Sequence, residues 1–486
     1  MSNVDLQKSS IKIGKTAFLG AAGIILILMI VSGILTIAMP SGEYQRVHTD
    51  ERTLIVPGSY SEIEKPDYPF WRWFTAPLEV VAAPNNIAVI TIMLFIVFVG
   101  GSIAILEGSG VMKDLLAKLV VRFKKNKYLL MAILQFMFMF LAAFLGLYEG
   151  LVPLIIFIVP LAHSLGWDSL TGLGISLLPL AFGFASSVTN PFTVAVAQGI
   201  ADLPLFSGSW LRIIFFIVVY FILYFFVSRY AKKIEKNPEL SLVYADDEKI
   251  KAQGSSGDDT AAASHPGMQK ALIWFASCMG IAIIFVILTS IIPAISDLAF
   301  PLMGLMFLIG GIGAGIFAKL SAKEIAKSFG SGMLGMLPGI VLILMAYSVK
   351  HIIDKGQITD TILYLAAAQI EQAPAMGSAF MIYLLTLIMN FFIGSASAKA
   401  FLMMPILTPL SDLVGITRQT AVLAFDFGDG FSNMVFPSNA LLLIALGFTV
   451  VSYPKWIRWT FPLQIGMLAV TSLFLAFAVL IGFGPF

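Results

Sequence analysis

One pattern constrains this chain more than any other: an apolar run is broken at small polar residues and a proline, and this happens twice. The first copy reads PLAHSLGW from Pro160, then FGFASSVTNPFTVAVAQG, then WLR at Trp210, Leu211 and Arg212. The second reads PLSDLVGI from Pro409, then FGDGFSNMVFPSNALLLIALG, then WIR at Trp456, Ile457 and Arg458. Aligning Ser186 with Ser432 brings Pro191 onto Pro437, Trp210 onto Trp456 and Arg212 onto Arg458 without a gap. A repeat this long marks two related halves. Helices interrupted in matching places of two halves point to the substrate site of a transporter.

The surrounding runs read as membrane spans. The first, 17–39, exceeds the roughly 20 residues that cross a bilayer and the 7 to 15 of a signal-peptide core, so it is read as an uncleaved span. With 58% hydrophobic and 12% charged residues, against roughly 25% charged in an ordinary soluble domain, a water-soluble fold would leave far too much apolar surface in water. The lone Cys278 excludes a disulfide framework and a cysteine metal cluster. The chain has no Walker sequence, so direct ATP-driven pumping is unsupported, and nothing in its charge calls for a nucleic-acid partner.

Lys8, Lys12 and Lys15 precede the first span, whereas the loop after it carries Glu43, Asp50, Glu51, Glu62, Glu64, Asp67 and Glu79. The positive-inside rule places the N-terminus in the cytoplasm and this loop outside. The cluster Phe70, Trp71, Trp73 and Phe74 suits a segment lying on the outer interface or packed on the protein's own outer face. A span at 87–106 returns to a basic amphipathic run with Lys113, Lys118, Arg122, Lys124, Lys125 and Lys127, read as an interfacial helix. Two short arms at 129–165, joined by GLYEG, read as a re-entrant hairpin, with two short full spans as the alternative. A broken span at 170–200 and a span at 212–227 complete the first repeat, 1–233. A polar cytoplasmic linker, 234–268, is expected to be flexible. The rest, 269–486, opens with a linking span at 271–292. The second repeat follows, with spans at 299–317 and 333–349, a hairpin at 377–408, a broken span at 421–446 and a last span at 456–481.

With both hairpins re-entrant, nine full crossings result. The extra crossing at 271–292 turns the second repeat upside down, and the charges agree. The expectation is an all-α polytopic membrane protein of two inverted repeats, each with a re-entrant hairpin and a broken helix, and with midplane sites.

Four polar clusters should converge in such a fold: Glu149 with its glycines; Ser186, Ser187, Thr189 and Asn190; Ser395, Ser397 and Lys399; and the stretch from Asp429 through Ser432, Asn433 and Ser438 to Asn439. Where a helix breaks in the membrane, its ends offer unpaired N–H and C=O groups to an anion or a cation, and a sodium ion is one candidate occupant. The plainer alternative is that Ser and Asn cap the broken helices. An ionisable residue at a helix centre costs roughly 2.5 to 3.5 kcal/mol on insertion scales and usually has a function. Glu149 and Asp429 are therefore read as sites for a coupling ion or a cationic substrate group, with Asp426 on nearly the same face as Asp429. Lys399 either binds a substrate carboxylate or neutralises Glu149 or Asp429 across the repeat interface. Arg212 and Arg458 read as interface anchors, His163 as a surface residue and His265 as solvated. DFG at Asp426 to Gly428 lacks any kinase context. FDFGDG lacks the leading glycine of intramembrane aspartyl proteases, which disfavours a membrane-embedded hydrolase.

These segments resemble a known group. PSGEY after the first span, TNPFTVAVAQGIADLPLFSG, the long stretch NFFIGSASAKAFLMMPILTPLSDLVGITRQTAVLAFDFGDGFSNMVFP and the Tyr148–Glu149 region are similar to the YfcC family of the C4-dicarboxylate anaerobic carrier (DcuC-like) group, within the ion transporter superfamily. The resemblance covers nearly the whole chain. Members tend to carry two acidic residues at the first hairpin tip, where this chain has YEG, and a glutamine where it has Lys399. The resemblance implies a homodimer with a scaffold domain and an elevator-type transport domain, in a bacterial inner membrane. It implies a secondary carrier of a small carboxylate-bearing metabolite, a C4-dicarboxylate or an amino acid, by sodium- or proton-coupled symport or by exchange. A basic amino acid antiporter of arginine/ornithine type is the alternative within the same fold. No cofactor is implied.

Overall fold

The computed structural model describes residues 15–49, 52–83, 86–112, 114, 118, 124–255, 266–291, 295 and 298–484. Apolar runs become helices here because backbone groups in lipid must pair within the chain. In the first half these are α1 (Lys15–Ala38), α2 (Arg72–Ala82), α3 (Ile87–Gly108), α4 (Lys127–Leu145), a 3-10 turn (Glu149–Leu154) leading into α5 (Ile155–Ser164), α6 (Ser169–Ser186), α7 (Val194–Ile200) and α8 (Ser209–Lys236). After α9 (Tyr244–Ser255) come α10 (Pro266–Ile291), α11 (Ala299–Phe317), α12 (Ala322–Gly356), α13 (Thr359–Glu371), α14 (Ala375–Phe392), α15 (Ala396–Leu413), α16 (Arg418–Asp429), α17 (Ala440–Gly447) and α18 (Tyr453–Leu480). Four short strands follow α1: β1 (Gly42–Glu43), β2 (Arg46–Thr49), β3 (Arg52–Ile55) and β4 (Ser61–Glu62), paired antiparallel as β1 with β4 and β2 with β3.

Among the described residues, nine helices are long and apolar enough to cross a membrane. The number matches the expected crossings, but the membership differs. Both first hairpin arms qualify: α4 has 19 residues and α14 has 18, roughly 27 to 29 Å at 1.5 Å per residue. The arms expected to be short are therefore close to the thickness of a hydrocarbon core. The run at 299–317, expected to cross, qualifies only as a shorter apolar helix over Pro301–Phe317. The expected span 333–349 is the middle of a 35-residue α12, whose start is fixed by a capping box between Ser321 and Glu324. The basic interfacial helix expected around 113–127 lies largely outside the described residues.

The helices pack in two groups. α1, α2, α3, α10, α11 and α12 contact one another, while α4 to α8 and α14 to α18 form the second group. Within the second group the contacts are paired between the halves. α4 packs on α6 and α8 as α14 packs on α16 and α18, and α7 lies against α15 as α17 lies against the 149–154 turn. Every residue of α6, and every residue of α16 except Arg418, is buried. Being shielded on all sides, these two helices form the core of the group.

The strand segment and the linker each join one half to the other. The strand segment of the first half grips the corner between α12 and α13: Tyr44 N donates to Asp360 Oδ2 at 2.9 Å, Arg46 Nη2 donates to both Asp360 oxygens at 3.0 and 2.8 Å, and Tyr60 stacks on Tyr364 at 4.1 Å. The aromatic cluster nearby is divided, with Trp73 buried and Phe70, Trp71 and Phe74 exposed. The linker is not flexible throughout as expected. Residues 244–255 form α9, and Asp247 is buried, accepting from Ser169 N at 3.0 Å and Ser169 Oγ at 2.6 Å, while Lys455 pairs with Asp246 at 2.6 Å. A polar composition reads as solvated, but this carboxylate has found a helix N-terminus.

Candidate functional site

α6 ends at Ser187, which adopts φ 41, and its chain resumes as α7 after a short polar crossing. α16 ends at Gly430, and a 3-10 turn (Phe431–Met434) and Pro437 separate it from α17. The two breaks touch. A Cβ at Gly430 would overlap Ala185, and Phe182 stacks on Phe431 with ring centroids 6.3 Å apart. Glycine is needed there because the backbones approach so closely.

The hairpin tips reach the same place. Gly146, at φ 68, ends α4 in a left-handed cap, and the first break closes over it, with Thr189 Oγ1 donating to Phe144 O at 2.9 Å. In the second half, Ser438 Oγ donates to Phe391 O at 2.6 Å. Each break thus satisfies a carbonyl at its own hairpin's turn. Across the halves, Ser397 Oγ donates to Phe192 O at 2.8 Å, which joins the second tip to the first break. All four sequence-predicted clusters therefore meet.

Their chemistry is unequal. In the second break, the fully buried Lys399 forms an ion pair with Asp429 and also donates to Asn390 Oδ1. Asn390 Nδ2 faces Asp429 O at 2.9 Å, Ser432 Oγ at 2.6 Å and Asn433 Oδ1 at 3.1 Å. Asn433 Nδ2 also donates to Asp429 O at 2.9 Å, and Asn439 Nδ2 donates to Asn433 Oδ1 at 2.7 Å. A chain of amides thus runs from the ammonium to the start of α17. The neutralising role expected of Lys399 is present, with one correction: its partner belongs to the same half, not across the repeat interface. Lys399 lies in the first turn of α15 and Asp429 ends α16, the next helix in the chain, so folding within the second half suffices to join them.

In the first break the polar groups are neutral. Ser187 and Thr193 share a hydroxyl hydrogen bond, Phe192 N donates to Asn190 Oδ1 at 2.9 Å, and the buried Asn190 Nδ2 has no hydrogen bond. Part of the plainer capping role also holds. Ser186 Oγ returns to Phe182 O at 2.8 Å, Ser395 accepts from Ala398 N at 3.4 Å, and Asn439 Oδ1 accepts from Leu441 N at 2.9 Å. Glu149 opens the 3-10 turn on an exposed part of the first tip, where its charge acts on Tyr148 and on Tyr347 of α12, in the other helix group. Asp426 is buried beside Asp429 and near Ser187.

Several residues of this site were not singled out from the sequence. Asn390 is the hub of the amide chain, and its signal was a lone asparagine in the apolar run LLTLIMNFF. Arg212, read as an interface anchor, is wholly buried. Gln198 and Gln419, buried and hydrogen-bonded to each other at 3.1 Å, sit where the two halves meet beyond the breaks.

Comparison with known proteins places this sequence among carriers. Residues 20–480 match the family model described as C4-dicarboxylate anaerobic carrier. The chain is 31% identical over 466 residues to "Putative basic amino acid antiporter YfcC" of Escherichia coli (strain K12), covering 90% of this chain and 91% of that protein. It is 25% identical over 431 residues to an uncharacterized protein of Haemophilus influenzae, covering 88% of this chain and 82% of that one. Among solved structures, the Alcanivorax borkumensis YdaH transporter covers 96% of this chain and 99% of its own, at 18% identity and a TM-score of 0.40.

Proposed function

This chain belongs to the C4-dicarboxylate anaerobic carrier family, and from that premise we propose that it is a secondary active carrier of a small carboxylate-bearing metabolite, a C4-dicarboxylate or an amino acid. The family and its relatives are transporters and not enzymes, and so is this multi-pass membrane chain. The substrate binds between the two helix breaks and the two hairpin tips. The observation that carries the reading is Lys399: an ammonium held at full burial beside two broken helices, with one acidic partner and one amide. A buried charge is costly unless compensated. A substrate carboxylate supplies that compensation when it takes the place of Asp429 against the ammonium, leaving Asp429 to take up a proton or a sodium ion. Coupling by symport or by exchange follows from that substitution.

The paired contacts of α4 to α8 and of α14 to α18 support two inverted repeats. The division into two helix groups supports an elevator, in which the hairpins and broken helices move against α1–α3 and α10–α12 of a homodimeric scaffold. The N-terminus and the linker are cytoplasmic in a bacterial-type inner membrane, with the strand segment outside. Exchange of basic amino acids is the second reading. It is favoured by the exposed acid Glu149 at the first tip and by the name of the Escherichia coli relative.

The test is uptake into proteoliposomes of radiolabelled succinate and arginine, with and without sodium and a pH gradient. Lys399→Gln is expected to weaken succinate uptake more than arginine uptake, whereas equal losses assign Lys399 to internal pairing alone. Asp429→Asn is expected to abolish coupled uptake in folded protein. Unchanged uptake with unchanged pH and sodium dependence removes Asp429 from the site.

A further inference from the structure

We propose that a phospholipid acyl chain inserts between α14 and α18 and packs against the back of the second helix break. A cavity of about 520 Å³ lies there, within the size range of ligand sites. Its floor is the break itself, through Phe431, Ser432, Val435 and Phe436. Leu384 and Ile388 of α14 form one rim, and Phe461 and Ile465 of α18 form the other. All four rim residues are exposed, from 44% to 59%.

The rims belong to the surface that hydrocarbon covers. α14 and α18 are both long and apolar enough to cross a membrane, and the exposed stripe of α18 runs on past the cleft through Leu473, Phe477 and Leu480. The cleft therefore opens sideways into the bilayer core. Its walls suit an apolar occupant, because no polar atom is exposed inside it. Ser432 Oγ donates to Gly428 O and Thr460 Oγ1 to Trp456 O, each at 2.9 Å, while Gln464 is 7% exposed with its amide covered. A carboxylate or an ammonium would lose its hydration there without gaining a partner. Water would lack the polar groups that hold it in a cavity. The cleft is thus separate from the site proposed for the substrate, with one wall between them. Behind that wall Asn390 Nδ2 lies 2.6 Å from Ser432 Oγ, and Asn390 also holds Lys399. A chain in the cleft backs the network around the ion pair.

The first half shows what such a cleft needs. α4 packs on α8 as α14 packs on α18, and there the protein supplies its own rings. Phe136 meets Phe216 at 5.9 Å and Tyr220 at 5.5 Å, Phe144 meets Phe216 at 5.7 Å, and Tyr220 donates to Ala132 O at 3.0 Å. In the second half, Tyr383 of α14 reaches Thr471 of α18 at 2.7 Å and joins the helices at one end of the cleft. Beyond that bond, Phe391 packs on Phe392 and on Phe436 of the break instead of on α18. A gap in an apolar wall forfeits dispersion contacts, and the lipid at its mouth supplies them.

The inference concerns lipid contact and holds whichever cargo is carried. For its test, the full-length protein is reconstituted in phosphatidylcholine vesicles containing a phospholipid with a diazirine at the end of one acyl chain. The vesicles are irradiated, and the adducts are mapped by mass spectrometry. Adducts are expected on the floor, residues 431–436, where Phe431 is only 2% exposed, as well as on the exposed Leu129 and Ile133 of α4. Ile388→Trp and Ile465→Trp, each made alone, place a ring at one rim. Both positions are about half exposed, so neither change requires the core to repack. A roughly tenfold loss of floor adducts in either variant, with those on Leu129 and Ile133 unchanged, supports the proposal. Absence of floor adducts in the natural protein, or floor adducts that neither variant reduces, would overturn it. Disulfide-linked dimers of Ile388→Cys, made with Cys278→Ala in the same vesicles, would assign the cleft to a second copy of the chain and overturn it as well.

Discussion

The two helix breaks occupy corresponding places in the repeat, yet they are built from different materials. The first is closed by hydroxyls and one asparagine: Ser187 against Thr193, Thr189 on Phe144 O, and Asn190 turned back on Phe192 N. The second carries a buried ion pair and a chain of three asparagines. Neutral hydrogen bonds contribute roughly 1 kcal/mol each, whereas a buried charge left without its partner costs several times that. Related backbones can therefore hold one break that tolerates loosening and one whose integrity depends on a charge. On the proposed coupled-carrier reading, the element that responds to ion and substrate together is the second break, because it holds the ion pair.

The largest expected effect tests that difference directly. Lys399→Met leaves Asp429 buried and unpaired and should destabilise the protein by about 3 to 5 kcal/mol, whereas the double variant Lys399→Met with Asp429→Leu should recover most of it. Denaturant unfolding of the three proteins measures the recovery, and its absence would mean that the second break is held by packing and not by charge. Next in size is Asn390→Leu, which leaves the ammonium with Asp429 as its one partner and removes a buried amide from Ser432, Asn433 and Asp429 O, and should cost about 2 to 3 kcal/mol. Thr193→Val in the first break removes one hydroxyl from a neutral pair and should cost about 1 kcal/mol. If the last two losses are equal, the asymmetry between the breaks is one of composition and not of energy.

Much of this comparison was legible in the sequence, for a physical reason: polar and ionisable residues stand out in an apolar run, and breaks fall where proline and small residues interrupt it. The repeat, the hairpin tips and the candidate acids came from that signal. The side chains' surroundings did not. The tripeptides WLR and WIR are nearly identical, yet Trp210 is 49% exposed with Arg212 buried, while Trp456 is buried with Arg458 exposed. Residues two apart on a helix point about 200° from each other, so one of the pair faces the core, and the rotation of the helix decides which. That rotation is set by tertiary packing, which no local pattern reports. α4 proved longer than expected because Lys127 and Tyr128 at its start read as loop, while α14 begins at Ala375, two residues before the expected hairpin. The docking of the linker was missed because its partner, Ser169, lies 78 residues away from Asp247.

That docking sharpens the comparison at the bases of the broken helices, with the smallest expected effect. α16 starts from Thr417, which caps Thr420 N at 3.2 Å and donates to Phe483 O at 2.7 Å, so its first-turn amide is held by a hydroxyl and not by a carboxylate. α6 starts from Asp168, which caps Thr171 N at 2.8 Å, and from Ser169, whose N–H and hydroxyl are held by Asp247 of the linker. Burial pushes the Asp247 carboxyl up, but hydrogen bonds from His163 and Ser169 outweigh it and hold it below the usual carboxylate range. A carboxyl lowered on folding stabilises the docked state fully above its unfolded value, and that stabilisation is lost as pH falls through the lowered one. Hydrogen exchange at the amides of 241–255 and of the first turn of α6 should therefore quicken as pH is lowered through the acid range, after correction for the intrinsic rate. The first turn of α16 should keep its protection. Asp247→Asn should show the quickened exchange already at neutral pH, while equal protection of 241–255 in the variant and the natural protein would mean that Lys455 and Asp246 alone hold the linker down.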